Sequence, residues 1–156
     1  MNNDESIAPA EELGVDQVSA RSHDFTLGYW DIFDGSTKIA EFFNERLLED
    51  GKILQHISLP DGSTGVGLMA YSPALNIWHY FVKTDDGTAT LFTGESADYG
   101  NLIYTARKSL GDGNSRLRRW TLTLLSDGNI RELCICTDDI GKTWSTEYDL
   151  VWISKS

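Results

Sequence analysis

The chain has 156 residues and a net charge of −11, and 40% of its residues are hydrophobic and 11% aromatic. This length and composition indicate one globular domain that is large enough to bury a core or enclose a cavity. The acidic balance argues against a nucleic-acid or anionic-membrane partner, because phosphate groups are bound by clustered Lys and Arg, and no apolar run approaches a membrane span.

The first 23 residues predict a flexible acidic extension, followed by a barrel over residues 24–156. Residues 1–24 contain six acidic residues and a single basic one, Arg21. A short helix between Ala8 and Val18 is compatible with Pro9 at its start. A solubilising tail and a lid over the barrel mouth are both open interpretations of this segment. It has neither the basic nor the apolar region of a secretory signal.

Regular turn signals divide the rest of the chain into ten predicted strands. Asp-Gly, the strongest short hairpin signal, occurs six times, and a further break falls at Gly94-Glu95-Ser96. The predicted strands are residues 25–33, 38–48, 52–59, 65–71, 77–84, 88–93, 102–108, 116–125, 129–137 and 145–154. Because helical candidates are few and closure removes exposed strand edges, this pattern predicts an all-β, closed antiparallel barrel of eight to ten strands.

The barrel is organised around its predicted first strand, which lies within residues 24–35. This stretch is dense in aromatic and bulky residues, and we expect Trp30 to close one end of the barrel. The following segment, residues 38–48, is ambiguous. Its apolar residues fit a helical stripe, but the Gly-Ser-Thr before it and the Asp-Gly after it suit a strand. We favour the strand.

Residues 77–82 are bulky on both faces of the predicted strand. A barrel uses only one face as lining, and large apolar patches are rare on the surface of monomers. A two-fold contact covers such a patch symmetrically, so we expect a homodimer.

The two cysteines, Cys134 and Cys136, lie at i and i+2 of a predicted strand and therefore point to the same face. Parallel side chains at this spacing do not suit a disulfide, so we expect free thiols and a cytoplasmic protein. The cysteines and histidines show no metal-ligand spacing, and we expect neither a metal nor a cofactor.

Two motifs resemble those of known families. Gly28-Tyr29-Trp30 resembles the Gly-x-Trp signature of lipocalins, in which the Trp plugs the closed end of the barrel. Residues 137–144 (Thr-Asp-Asp-Ile-Gly-Lys-Thr-Trp) resemble the Ser-x-Asp-Gly-Gly-Lys-Thr-Trp turn of a bacterial family of lipocalin-like proteins of unknown function. Residues 41–55 and 71–79 are similar to further blocks of that family.

The sequence departs from this family at a few positions. Ile140 stands where the family usually has Gly, and the two cysteines stand where it has larger or polar residues, so an inward-facing cysteine would widen the cavity. The resemblance implies a lipocalin-like barrel. Related barrels mostly bind small apolar molecules, and a minority act as cyclases, isomerases or cofactor lyases.

Aromatic residues occur on most predicted strands and indicate a ligand site in the lumen. A wall of Trp and Tyr gives a flat apolar surface with a few hydrogen-bond donors, although a filled core is the alternative. We expect a small apolar or aromatic molecule there, with His79 or Arg118 as its polar anchor. The predicted ligand-binding residues are Tyr71, Trp78, Tyr80, Tyr104, Arg118 and Trp120.

An enzyme is the second interpretation. Such a cavity can fold a polyene or polyketide-like substrate for cyclisation or isomerisation, with modest acid–base assistance. The candidate catalytic residues are His79, Glu41 and Glu132, since a carboxyl facing the lumen would have a raised pKa. Packing, solvent exposure or pairing with Arg is the interpretation we favour for these residues taken singly.

Five basic residues flank one predicted hairpin. This cluster predicts a rim that binds carboxylate or phosphate groups, or alternatively a solvated edge or a contact for an acidic tail. Its members are Arg107, Lys108, Arg116, Arg118 and Arg119.

Overall fold

The computed structural model describes residues 20–47, 51–85, 87 and 89–155, with side chains at all of these except 95–97. The described residues form a closed antiparallel barrel of ten strands, in which each strand pairs with its neighbours in the chain and β1 pairs with β10. The strands are β1 (Gly28–Asp34), β2 (Thr37–Leu47), β3 (Lys52–Ser58), β4 (Thr64–Ser72), β5 (Ile77–Thr84), β6 (Ala89–Asp98), β7 (Asn101–Gly111), β8 (Asn114–Leu124), β9 (Ile130–Thr137) and β10 (Ser145–Ser154).

The Asp-Gly pairs mark the strand ends for a local conformational reason. The glycines of all six pairs have positive φ angles, from 60° at Gly35 to 88° at Gly62. Glycine adopts this conformation without steric cost, so each of these glycines allows the chain to turn between two strands. The predicted all-β barrel is therefore confirmed, and the described residues of the ambiguous segment, 38–47, lie in a strand rather than a helix.

Two local predictions are wrong. Asp24–Thr26 forms a 3₁₀-helix before β1, because the carbonyl oxygen of Thr26 accepts hydrogen bonds from the Trp30 indole and the Asn44 amide, each at 2.8 Å. The predicted break at residues 94–96 is instead a shift of register inside β6. A Cβ atom at Gly94 would lie 2.9 Å from the backbone oxygen of Trp78, so this close approach requires glycine.

Residues 20–26, which include the 3₁₀-helix, cover one end of the barrel, which we call the closed end. Ser22, His23 and Thr26 are buried there, and Trp30 packs edge-on against Trp152 with ring centroids 5.9 Å apart. The opposite end, where β1 ends and β10 begins, is called the mouth. Residues 1–19, including the predicted helix at 8–18, lie outside the described residues.

The turn between β9 and β10 contains a strained residue. Ile140 is 97% exposed and has a φ of 60°, a left-handed conformation that β-branched residues rarely adopt. The Asp139 carboxylate holds the turn by accepting hydrogen bonds from the Thr137 hydroxyl at 2.7 Å and the Thr143 backbone N–H at 2.8 Å. Among the described residues, no helix has the length and apolarity needed to cross a membrane.

Candidate ligand site in the barrel

A layer of aromatic rings crosses the middle of the lumen. Tyr80 stacks on Trp120 with ring centroids 4.9 Å apart and an interplanar angle of 13°. Phe92 and Tyr104 contact Trp120 from two sides, at centroid distances of 5.6 and 5.1 Å. These side chains come from the four consecutive strands β5, β6, β7 and β8.

A cavity of about 240 Å³ remains between this layer and the mouth, and we call it the mouth cavity. Its walls include Ile32, Ala40, Ile57 and Leu150, and its aromatic base includes Tyr80, Phe92 and Trp120. An apolar cavity of about 150 Å³ is sufficient to bind benzene. The mouth cavity therefore has room for a single ring with a short substituent, or for a short chain.

Glu132 places a buried carboxyl group on the wall of the mouth cavity. The side chain is 7% exposed, and its two oxygens accept hydrogen bonds from the indole N–H groups of Trp120 at 2.9 Å and Trp152 at 2.7 Å. Burial raises the pKa of Glu132, and the hydrogen bonds from the two indoles and Tyr148 oppose part of this rise. The result is a carboxyl group that holds its proton more tightly than a free Glu.

Tyr80 is fixed in the base of the mouth cavity by a close backbone approach. Its hydroxyl donates a hydrogen bond to the side-chain oxygen of Gln55 at 2.5 Å. A Cβ atom at Gly67 would lie 2.9 Å from both the Gln55 side-chain oxygen and the Tyr80 ring. The hydrogen-bonded pair therefore fits only because residue 67 is glycine. The burial of the phenol raises the pKa of Tyr80, which keeps the hydroxyl protonated and donating.

Arg118 is the cationic residue of the mouth cavity. Its Nε and Nη2 atoms donate to one oxygen of Glu147 at 2.8 and 2.7 Å. The guanidinium lies 5.2 Å from the centroid of the Phe92 ring, within the range of a cation–π contact. Arg118 also lines a second, larger space of about 730 Å³ beside the mouth cavity.

This larger space lies where β6 and β7 separate, and we call it the β6–β7 cleft. The ladder between the two strands runs from Asp98↔Asn101 to Thr93↔Thr105. Beyond Thr93, β6 continues to pair only with β5, and beyond Thr105, β7 continues with β8. Residues 89–91 and 106–109 therefore form the two sides of an opening that leads toward the mouth cavity.

The six predicted ligand-binding residues all lie on the inner face, but at two different levels. Tyr80, Arg118 and Trp120 line the mouth cavity. Tyr71, Trp78 and Tyr104 lie nearer the closed end. There, Trp78 stacks on His23 at a centroid distance of 3.7 Å and the Tyr104 hydroxyl is hydrogen-bonded to His23 Nε2.

Of the three predicted catalytic residues, only Glu132 lies inside the barrel. His79 lies between Trp78 and Tyr80, which face inward, so strand alternation directs its ring to the outer face. Glu41 is also on the outer face and pairs with Lys155 at 2.6 Å and Lys38 at 3.0 Å. These two cations lower the pKa of Glu41 to about 2, which is opposite to the shift expected of a carboxyl in the lumen.

Both cysteines are free and buried on the inner face of β9. The thiol of Cys134 lies 3.6 Å from Glu147, and burial raises its pKa to about 11. A thiol with this pKa stays protonated and is a poor nucleophile at neutral pH. Within the described ranges, no three or more His, Cys, Asp or Glu side chains converge in a way that could hold a metal ion.

The predicted site residues did not include His23, Phe92, Tyr148 or Glu147, which the structure places at the closed end, in the mouth cavity or in the β6–β7 cleft. His23 was assigned to the extension, and its partner Tyr104 is 81 positions away, so no local pattern points to it. Glu147 lies at a register irregularity in β10, which interrupts the simple alternation. No family model and no curated protein matches this chain, so the candidate site is defined by its own residues.

Proposed function

We propose that the protein is a lipocalin-like barrel that binds a small apolar or aromatic molecule in the mouth cavity. The observation that carries this proposal is a cavity of about 240 Å³ next to a stacked Tyr80–Trp120 pair. Binding sites of small molecules are typically concave, mostly apolar and supplied with a few convergent polar groups. Glu132, Tyr148 and Arg118 are such polar groups here.

The resemblance to the bacterial lipocalin-like family supports the same proposal. Trp30 of the Gly-x-Trp motif is buried at the closed end, and a short 3₁₀-helix lies beside it. This arrangement closes one end of a ten-stranded barrel and leaves the lumen accessible from the other. Free thiols at Cys134 and Cys136 favour a reducing compartment such as the cytoplasm.

Filling the mouth cavity tests the proposal. Ala40 is buried on the cavity wall, so Ala40→Leu is expected to reduce the affinity for a small aromatic ligand at least tenfold while the barrel stays folded. Ligands are first identified from a library of one-ring compounds by the rise in melting temperature. Dissociation constants are then measured by calorimetry.

Ala70→Leu is the matched control, since Ala70 lies on the opposite, outer face of the sheet and pairs with His79. It adds the same volume outside the lumen and should leave the affinity unchanged. If no member of the library binds, or if both leucine variants bind as tightly as the wild type, the mouth cavity is not the ligand site.

A cyclase or isomerase is the second candidate, and Glu132 is the observation that favours it. Its carboxyl has a raised pKa and touches the cavity in which a substrate would lie. The cavity volume suits a compact substrate better than an extended polyene. Incorporation of deuterium from D₂O into a bound ligand, and its loss in Glu132→Gln, would distinguish an enzyme from a binding protein.

We also propose that the protein is a homodimer formed through the outer face of β4, β5 and β6. Leu68, Phe81 and Leu91 are direct cross-strand neighbours there. Phe81 and Leu91 are 42% and 56% exposed, and nearby Val66 is 43% exposed. A continuous apolar patch of this kind is typical of an interface between subunits.

A charge placed in this outer patch is expected to separate the subunits. Phe81→Glu should convert a wild-type dimer to a monomer of about half the mass in light scattering at micromolar concentration. Asp149→Ala, which breaks an exposed ion pair with Arg131, serves as the surface control. A wild-type mass of one chain would contradict the dimer.

A further inference from the structure

We infer that the ligand is an apolar monocarboxylate whose carboxylate is bound by Arg118, Lys108 and Arg107 in the β6–β7 cleft and whose apolar body occupies the mouth cavity. This inference rests on the proposed binding function and adds the chemical class of the ligand and its path into the barrel. Three observations support it: the positive charge of the cleft, the connection of the cleft to the mouth cavity, and the ion pair of Arg118 with Glu147.

The β6–β7 cleft is positively charged in a strongly acidic protein. Its lining contains three cationic side chains and one carboxylate, whereas the whole chain has a net charge of −11. Arg107 donates a hydrogen bond to the Ser115 hydroxyl at 2.8 Å, and in the described part of the chain neither it nor Lys108 forms an ion pair. Two cations at the side of the cleft therefore remain available to an anion from solution.

The cleft and the mouth cavity meet at Arg118 and Thr90, which line both spaces. A molecule that lies across this junction has its polar end among cations and its apolar end against Phe92 and Trp120. The separation of β6 from β7 supplies the opening through which such a molecule can reach the lumen without passage through the closed end. The arrangement matches an amphiphile with one charged end.

Glu147 indicates which anion the site accepts. Its carboxylate receives both the Nε and Nη2 groups of Arg118, so a carboxylate is already held at the junction by the protein itself. Arg and carboxylate groups form strong charge-assisted hydrogen bonds with defined geometry. A ligand carboxylate would share or replace this contact, which makes Glu147 an internal competitor.

The size of the mouth cavity limits the apolar body. A volume of about 240 Å³ holds a phenyl ring with a short linker, while longer chains would extend into the cleft. The class is therefore compact aryl or short-chain alkyl carboxylic acids, for which 3-phenylpropionate and octanoate are suitable probes.

Matched pairs of an acid and its alcohol test this inference by calorimetry at low salt. 3-Phenylpropionate and octanoate are expected to bind at least tenfold more tightly than 3-phenylpropanol and octanol. Arg118→Gln should remove this preference, and Lys108→Gln should weaken it. Glu147→Gln should tighten the binding of the acids and leave the alcohols unchanged, because the internal competitor has lost its charge.

Arg131→Gln is the control, since Arg131 forms an outer-face ion pair with Asp149 and should leave all affinities unchanged. Equal binding of acid and alcohol, or an acid preference that persists in both Arg118→Gln and Lys108→Gln, would overturn this inference while the proposed function stands. Failure of both acids to bind would also overturn this inference, and the proposed function falls with it only if the library of one-ring compounds gives no ligand either. If Arg118→Gln does not fold, the other two variants test the inference. Lys108→Gln should weaken the binding of the acids and Glu147→Gln should tighten it.

Discussion

Acidification below pH 6.5 is expected to destabilise the protein through His23. This imidazole is 0% exposed, and burial lowers its pKa to about 3, so the folded protein keeps it neutral while the unfolded chain binds a proton. Between these two pKa values the unfolded state binds more protons, so stability falls as the pH falls. The free energy of unfolding falls by up to about 1.4 kcal/mol per pH unit, and the total loss has an upper limit of about 5 kcal/mol.

The contacts of His23 explain why its protonation is unfavourable. The ring stacks on Trp78 and is hydrogen-bonded to Tyr104, and its buried Nδ1 atom has no hydrogen-bond partner among the residues that the structure describes. Protonation of the neutral imidazole would place a positive charge in this apolar environment. Since His23 belongs to the segment that seals the closed end, we expect this segment to detach first.

His23→Phe separates this effect from all other titrations. The free energy of unfolding of both proteins is measured with urea between pH 7 and 4.5. As the pH falls, we expect the wild type to lose more stability than His23→Phe. His56→Gln removes a half-exposed imidazole on the outer face and is the matched control. Parallel pH profiles for the wild type and His23→Phe would show that His23 is not buried in the folded protein.

Glu132→Leu is expected to destabilise the barrel by about 2–6 kcal/mol. The substitution leaves the indole N–H groups of Trp120 and Trp152 without their acceptor in a buried site, and each unsatisfied donor costs about 1–3 kcal/mol. Glu132→Gln should cost less, because its amide oxygen still accepts one of the two bonds. Glu41→Gln, on the outer face, should have little effect.

The pH dependence of the Glu132 variants has a defined sign. The raised pKa of Glu132 means that the folded protein binds its proton more tightly than the unfolded chain. The contribution of Glu132 to the free energy of unfolding is fully present below the ordinary pKa of Glu and declines as the pH rises toward the pKa in the folded protein. This pH dependence has the opposite sign to that of His23. Urea unfolding of the two Glu132 variants should not show this decline with pH. If Glu132→Leu were as stable as the wild type, the two indole contacts would be contradicted.

The strand pattern was predictable because its signals are local. Each Asp-Gly pair requires only that one glycine adopt a positive φ, and Gly35 and Gly62 do so irrespective of distant contacts. The same reasoning identified β2 as a strand from the turns on either side. It failed at Asp24–Thr26, where the bonds from Trp30 and Asn44 to the Thr26 carbonyl hold a helical turn.

The candidate site was less predictable because it depends on which face of each strand points inward. Residues 77–82 are bulky on both faces, so only the closed sheet reveals that Trp78 and Tyr80 face inward and His79 outward. The separation of β6 from β7 leaves no mark in local sequence. Arg118 was predicted as a polar anchor from its position on a strand rich in aromatic neighbours, but its contact with Glu147 crosses 29 positions.

The position of a bound ligand is the most direct test of the central claim that the mouth cavity is a binding site. Each of the five tryptophans contributes one indole N–H resonance to a ¹H–¹⁵N spectrum, and Trp→Phe variants assign them. Titration with a ligand that raises the melting temperature is expected to shift the resonance of Trp120 strongly and that of Trp152 through their shared Glu132 contact. The resonances of Trp30 and Trp78 at the closed end and of Trp144 outside the lumen should move little. Shifts confined to those three, with Trp120 unchanged, would contradict a ligand in the mouth cavity.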